Sequence, residues 1–255
     1  MRLLLIITAL FLFLFNYPVS ASDNNELTVA AAANVKFIME ELKNEFKEDS
    51  GIDIKTIIAS SGELTAQIKN GAPFDVFMSA DIGFPQNLFK DKFAIEKPRI
   101  YAWGTLVLWT LKDLELSKGF MVLLDKNIEK IAIAYPKNAP YGEEAVNVIN
   151  YYKIYHQIKD KLVFGKSISQ VNNYIVSKNA DIGFTSKSTV LSPQMKDSGK
   201  WIEIDHKTYK PIAQGAVILK YGKENNYNNS KKFMAFLFSK KSKKIFQKYG
   251  YLLKN

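Results

Sequence analysis

Leu27-Thr28-Val29-Ala30-Ala31-Ala32-Ala33-Asn34-Val35-Lys36-Phe37-Ile38-Met39-Glu40-Glu41-Leu42-Lys43 changes its period halfway along. As far as Ala33 it is a short apolar run, the composition of a strand buried on both faces. From Val35 the apolar residues recur at Ile38, Met39, Leu42 and Phe46, the spacing of one helix face. Asn34 at the junction predicts an N-cap. Small residues ahead of a helix leave its free N–H groups approachable, and those groups together with the helix dipole favour an anion. The unit predicts a strand, a turn and a helix holding one oxyanion, with three more such turns completed by the rest of the chain.

The alternation continues outward from this stretch. Asp53 to Ala59 reads as a β-branched strand, and Ser60-Ser61-Gly62-Glu63 has capping-box spacing before a helix ending at Asn70-Gly71-Ala72-Pro73. Asp75 to Ser79 reads as a buried strand, Ile82 to Phe93 as a helix interrupted by Pro85, and Ile100 to Leu111 as one long strand containing Gly104. Further strands are predicted at Lys130 to Ala134, Leu162 to Phe164, Asp181 to Thr185, Trp201 to Ile204 and Ala213 to Lys220. Helices are predicted near Leu116 to Leu124, from Glu143 to about Tyr155, over Val171 to Ser177 behind a cap-spaced Ser167 and Gln170, and from Asn229 onward. This order predicts an α/β protein with parallel sheets. The chain crosses twice, near Gly104 and near Ala213. One lobe, residues 22–103 plus 211–255, is then built from both chain ends, and a second, 104–210, is inserted into it.

With 255 residues, 47% hydrophobic and 24% charged, the chain can bury two modest cores. Arg2, the apolar run Leu3 to Phe15 and Val19-Ser20-Ala21 have the layout of a secretory signal over residues 1–21, and the run is shorter than the ~20 residues of a spanning helix. Cysteine is absent, which excludes disulfides, thiolate metal sites and a lipid-bearing Cys. The expectation is a free, monomeric periplasmic protein. The charge of +10 is scattered over helix faces, without the groove or motif of a nucleic-acid binder.

Only His156 and His206 are present, without metal-ligand spacing, and no phosphate-cradling glycine motif occurs. Ser60 and Ser61 lack the Gly-x-Ser-x-Gly elbow of a hydrolase. Neither an enzyme nor a cofactor is therefore expected, and a secreted hydrolase using one of these serines is the alternative from a different class. What remains is donor chemistry suited to a tetrahedral dianion carrying no proton: hydroxyls, an amide and helix N–H groups. Charge-assisted bonds of about 1.5–3 kcal/mol each make tight binding attainable with six or seven of them.

Four segments, Val-Ala-Ala-Ala-Ala-Asn at 29–34, Ala-Ser-Ser-Gly-Glu-Leu-Thr-Ala-Gln-Ile at 59–68, Gly-Ala-Pro-Phe-Asp-Val-Phe-Met-Ser-Ala-Asp at 71–81 and Phe-Gln-Lys-Tyr-Gly-Tyr at 246–251, resemble the periplasmic molybdate-binding proteins of ABC importers. The resemblance implies a two-lobed type II periplasmic-binding fold, molybdate or tungstate in the interlobe cleft, and delivery to a permease in the inner membrane. It places Asn34 at the anion beside Ala33, where many members have Ser. It matches Ser61, flanked by Ser60, to the second turn. Tyr141 and Val171 fall where the family donates backbone N–H groups. Ser186 stands where many members have a Tyr hydroxyl, which is a departure. Sulfate is the alternative anion, because ion size cannot be read from sequence.

Overall fold

The computed structural model describes residues 25–253, so the expected signal segment lies outside the described residues. The strands are β1 (Glu26–Ala32), β2 (Asp53–Ala59), β3 (Val76–Met78), β4 (Arg99–Gly104), β5 (Leu106–Thr110), β6 (Ile131–Ala134), β7 (Leu162–Gly165), β8 (Ile182–Ser186), β9 (Lys200–Glu203) and β10 (Ile212–Ile218). They form two five-stranded sheets, ordered β2-β1-β3-β10-β4 and β7-β6-β8-β5-β9. In the first, β1 runs parallel to β2 and β3, while β10 lies antiparallel to β3 and β4. The second repeats this layout, with β6 parallel to β7 and β8 and with β5 antiparallel to β8 and β9. Each sheet is the spine of one lobe of a type II periplasmic-binding fold.

The helices used below are α1 (Lys36–Ser50), α2 (Ser61–Lys69), α3 (Gly83–Lys90), α4 (Pro140–Tyr151), α5 (Ile168–Val176), α6 (Tyr227–Leu237) and α7 (Lys240–Lys248). The face of α1 legible in sequence is the buried one: Ile38, Met39, Leu42 and Phe46 pack into a cluster with Phe233 and Phe236 of α6. Burying each such side chain is worth about 1.5–3 kcal/mol, so this stripe outweighs any single cap in fixing the helix. Two apolar clusters cover the two faces of the first sheet. A third fills the second lobe and runs on into Ala32, Ala33 and Ala80 of the first.

Three segments differ from expectation. Ile100 to Leu111 is two strands, because the chain leaves the first sheet after Gly104 and joins the second at Leu106. Pro85 does not interrupt α3 but sits in its first turn, where its missing N–H has no intrahelical partner to lose. The terminal helix is broken into α6 and α7, the second opened by the Ser239 hydroxyl accepting from Ser242 N–H. Among the described residues no helix is long and apolar enough to cross a membrane.

Candidate functional site

Parallel strands end in turns that start helices, and four of these starts meet. Ala33 opens the single 3-10 turn that runs from β1 into α1, and Ser61 opens α2 after β2. On the other lobe Pro140 opens α4 after β6, and Ile168 opens α5 after β7. Residues from all four starts line one pocket between the lobes, with Ala80 beyond β3 closing it. This is the crevice at the carboxyl ends of parallel strands, where open α/β sheets hold ligands. The pocket is small and lies between the lobes. Among the described residues no carboxylate or ammonium lines it.

The serines have separate roles. Ser60 caps α2 in a complete capping box: Glu63 Oε2 receives its N–H at 3.1 Å and its hydroxyl at 2.7 Å, and Ser60 Oγ accepts Glu63 N–H at 3.3 Å. Its proton is therefore committed to the turn. Ser61 Oγ instead accepts Ala80 N–H at 3.0 Å, a bond that leaves its own proton for another acceptor. The Tyr141 N–H is at the second position of α4, among the groups that have no intrahelical acceptor. The Tyr141 side chain is buried, and burial, helped by Tyr251 and Tyr101, pushes its phenol well above 10, so it is neutral.

Asn34 is not the N-cap that its position suggests. Ala32 takes that place without a side-chain bond, and Asn34 lies inside the first turn. Its Nδ2 donates to Gln214 Oε1 at 2.9 Å and to the Tyr251 hydroxyl at 3.1 Å, and its Oδ1 is buried without a partner. The structure thus brings Ala33, Asn34, Ser60, Ser61 and Tyr141 to one pocket. Two expected residues do not line it. Val171 N–H is taken by Ser167 O at 3.1 Å, and Ile168, one turn earlier, occupies the lining. The Ser186 hydroxyl bonds Ser188 Oγ at 2.9 Å and Thr189 Oγ1 at 3.0 Å. Ser167, the cap residue of α5, is the legible sign that Ile168 is the first residue of that helix.

The profile of the bacterial extracellular solute-binding proteins matches residues 27–252. The chain belongs to this family. It is 34% identical to the molybdate-binding protein ModA of Azotobacter vinelandii, covering 91% of both chains. It is 36% identical to ModA of Rhodobacter capsulatus, over 89% of this chain and 88% of that one. The solved structure of the Azotobacter vinelandii periplasmic molybdate-binding protein superposes with a TM-score of 0.85 at 32% identity, over 90% of this chain and 100% of that one. A sulfate-binding protein, SubI of Mycobacterium tuberculosis, shares the fold at 11% identity and a TM-score of 0.72, over 89% of this chain and 86% of that one.

In this solute-binding protein the lobes touch around the pocket. Gly62 N–H of α2 donates to Asn138 O of the second lobe at 2.9 Å, and Ser188 Oγ donates to Asn34 O at 2.7 Å. Asp75 and Asp81 serve the scaffold. Asp75 Oδ2 accepts Thr28 N–H at 2.7 Å, and Asp81 Oδ1 accepts Phe84 N–H at 3.1 Å. Burial raises the Asp81 pKa, opposed by the Phe84 and Ser79 bonds and reinforced by Glu143. His206 bonds Tyr209 at 2.9 Å and Glu203 at 3.1 Å, and Ser60 turns to Glu63.

Proposed function

We propose that the chain captures molybdate, and its near-isostere tungstate, in the interlobe pocket and delivers it to an ABC permease from outside the cytoplasmic membrane. The observation that carries this reading is the meeting of four helix N-termini around a small pocket with no ionised side chain among the described residues that line it. Helix N–H groups and a free hydroxyl supply donors there and no ionised base competes with them, which suits a fully deprotonated oxyanion. The relatives named as molybdate-binding, matched over about nine-tenths of the chain, supply the identity of the anion. The donors in this reading are the Asn34 turn, the Ser61 hydroxyl and N–H, and the N–H groups at Tyr141 and Ile168. The two passages between sheets, at Thr105 and between β9 and β10, act as the hinge for closure. No covalent chemistry takes place, and the protein works as a monomer.

Elemental analysis of protein purified without dialysis tests this directly. Molybdenum or tungsten at one per chain is the expected result. Sulfate or phosphate released on denaturation, with no bound metal oxyanion even after incubation with molybdate, would overturn it.

A further inference from the structure

Gln214 is a fully buried amide in an otherwise apolar part of β10, and it joins the pocket to both lobes. Its Oε1 accepts from Asn34 Nδ2 at 2.9 Å and from the Tyr101 hydroxyl at 2.8 Å, and its Nε2 donates to the Tyr141 hydroxyl at 3.0 Å. Asn34 gives its other amide proton to Tyr251. With both protons used, Asn34 is left with Oδ1, an acceptor that is buried and unpartnered on a residue lining the pocket. An acceptor there opposes a proton-free anion. Gly104 makes the junction possible, since a methyl group on it would stand 2.0 Å from the Tyr141 hydroxyl and 2.5 Å from Gln214 Nε2.

A half-turn of an amide exchanges its nitrogen and oxygen with almost no change of shape. Turning both amides gives a cluster in which the protons are fully assigned. The Tyr141 hydroxyl then donates to Gln214 Oε1. Gln214 Nε2 carries two protons, one for Asn34 Oδ1 and one for the Tyr101 oxygen. Tyr101 donates to Ser79 O, already 3.1 Å away, and Tyr251 gives its proton to Asn34 Oδ1 across the 3.1 Å now spanned from Nδ2, while Ser188 Oγ continues to serve Asn34 O. The group left over is Asn34 Nδ2, a donor where the acceptor had been. Turning Asn34 alone would face Oδ1 against Gln214 Oε1 at the 2.9 Å now spanned by a hydrogen bond, so the two amides turn together.

We infer that Gln214 is a positioning residue for anion recognition. Its amide orientation decides whether Asn34 presents an acceptor or donors to the pocket, and a proton-free oxyanion selects the donor arrangement. The same half-turn makes the Tyr141 hydroxyl of the second lobe the donor to Gln214. This inference rests on the oxyanion reading above.

The test is a double-mutant cycle read by calorimetric titration of anion-stripped protein with molybdate: wild type, Asn34→Ala, Gln214→Leu and the double variant. Gln214→Leu is expected to weaken binding about tenfold or more when Asn34 is present, the loss of one charge-assisted bond, and less than about twofold when it is absent. Equal losses in both backgrounds would overturn the inference, because a purely structural Gln214 acts regardless of Asn34. Absence of binding by the wild type would overturn the oxyanion reading itself. If Gln214→Leu does not fold, the side-chain amide ¹⁵N–¹H signals of the wild type decide. Both the Asn34 and Gln214 pairs are expected to shift on adding molybdate, and movement of Asn34 with Gln214 unmoved would overturn the inference.

Discussion

Gly62 and Asn138 meet across the cleft with no room between them: Gly62 N–H donates to Asn138 O at 2.9 Å, and a methyl group on Gly62 would stand 2.8 Å from the Asn138 Cα. Alanine suits the second position of a helix, so Gly62→Ala does not harm α2. Its methyl group meets backbone of the other lobe and wedges the cleft. The expected outcome is an unchanged melting temperature for anion-free protein and a molybdate affinity lower by about tenfold or more, measured by differential scanning calorimetry and titration. Unchanged affinity would show that closure does not need this contact.

Ser60 and Ser61 are neighbours with separable effects. Ser60→Ala removes a capping box, which costs about 0.5–2 kcal/mol of stability, so the melting temperature falls while the loss in affinity is small. Ser61→Ala removes the free proton and strips Ala80 N–H of its acceptor. It should cost about 1.5–3 kcal/mol of anion binding. Reversed effects in the two variants would reassign the donor.

Much of this was legible in the chain. The change of period after Ala33, the Ser60–Glu63 spacing and the run of β-branched residues before it gave strand, cap and helix, because those signals act over a few residues. The break at Thr105 was not legible, since both strands are apolar and only the pairing partners change. Asn34 misled for a related reason. An Asn before a helix is a local cap signal, but here partners 180 and 217 residues away, Gln214 hydrogen-bonded at 2.9 Å and Tyr251 at 3.1 Å, hold its amide. Gln214 was visible only as one amide among apolar residues, which does not say what it faces.

Ser186 offers a test of what lines the pocket. Its hydroxyl is held between Ser188 and Thr189. Ser186→Ala is expected to leave molybdate affinity within about twofold while lowering stability by roughly 1 kcal/mol for the lost hydrogen bonds. A tenfold fall in affinity, measured by titration, would place Ser186 on the anion.

Asp181 ties the start of β6 to β8 and gives a pH signature. Burial pushes its carboxyl up, but Lys112 and the N–H groups of Lys130 and Glu129 outweigh this and hold it below its ordinary 3.8. A carboxyl lowered on folding adds stability that is fully present above the unfolded value and is lost as pH falls through the folded one. Asp181→Asn should therefore lower stability by about 1–3 kcal/mol at pH 7, with the difference from wild type shrinking below about pH 4. Thermal unfolding across that range checks it, and a pH-independent difference would contradict it.

The central claim is a single proton-free oxyanion held by four helix starts. Calorimetric titration of anion-stripped protein with molybdate, with sulfate and phosphate in parallel, tests it most directly. The account predicts one site per chain, sub-micromolar affinity for molybdate and at least about a hundredfold weaker binding of phosphate, which carries a proton that the lining cannot accept. No heat with molybdate, or phosphate binding as tightly, would contradict it.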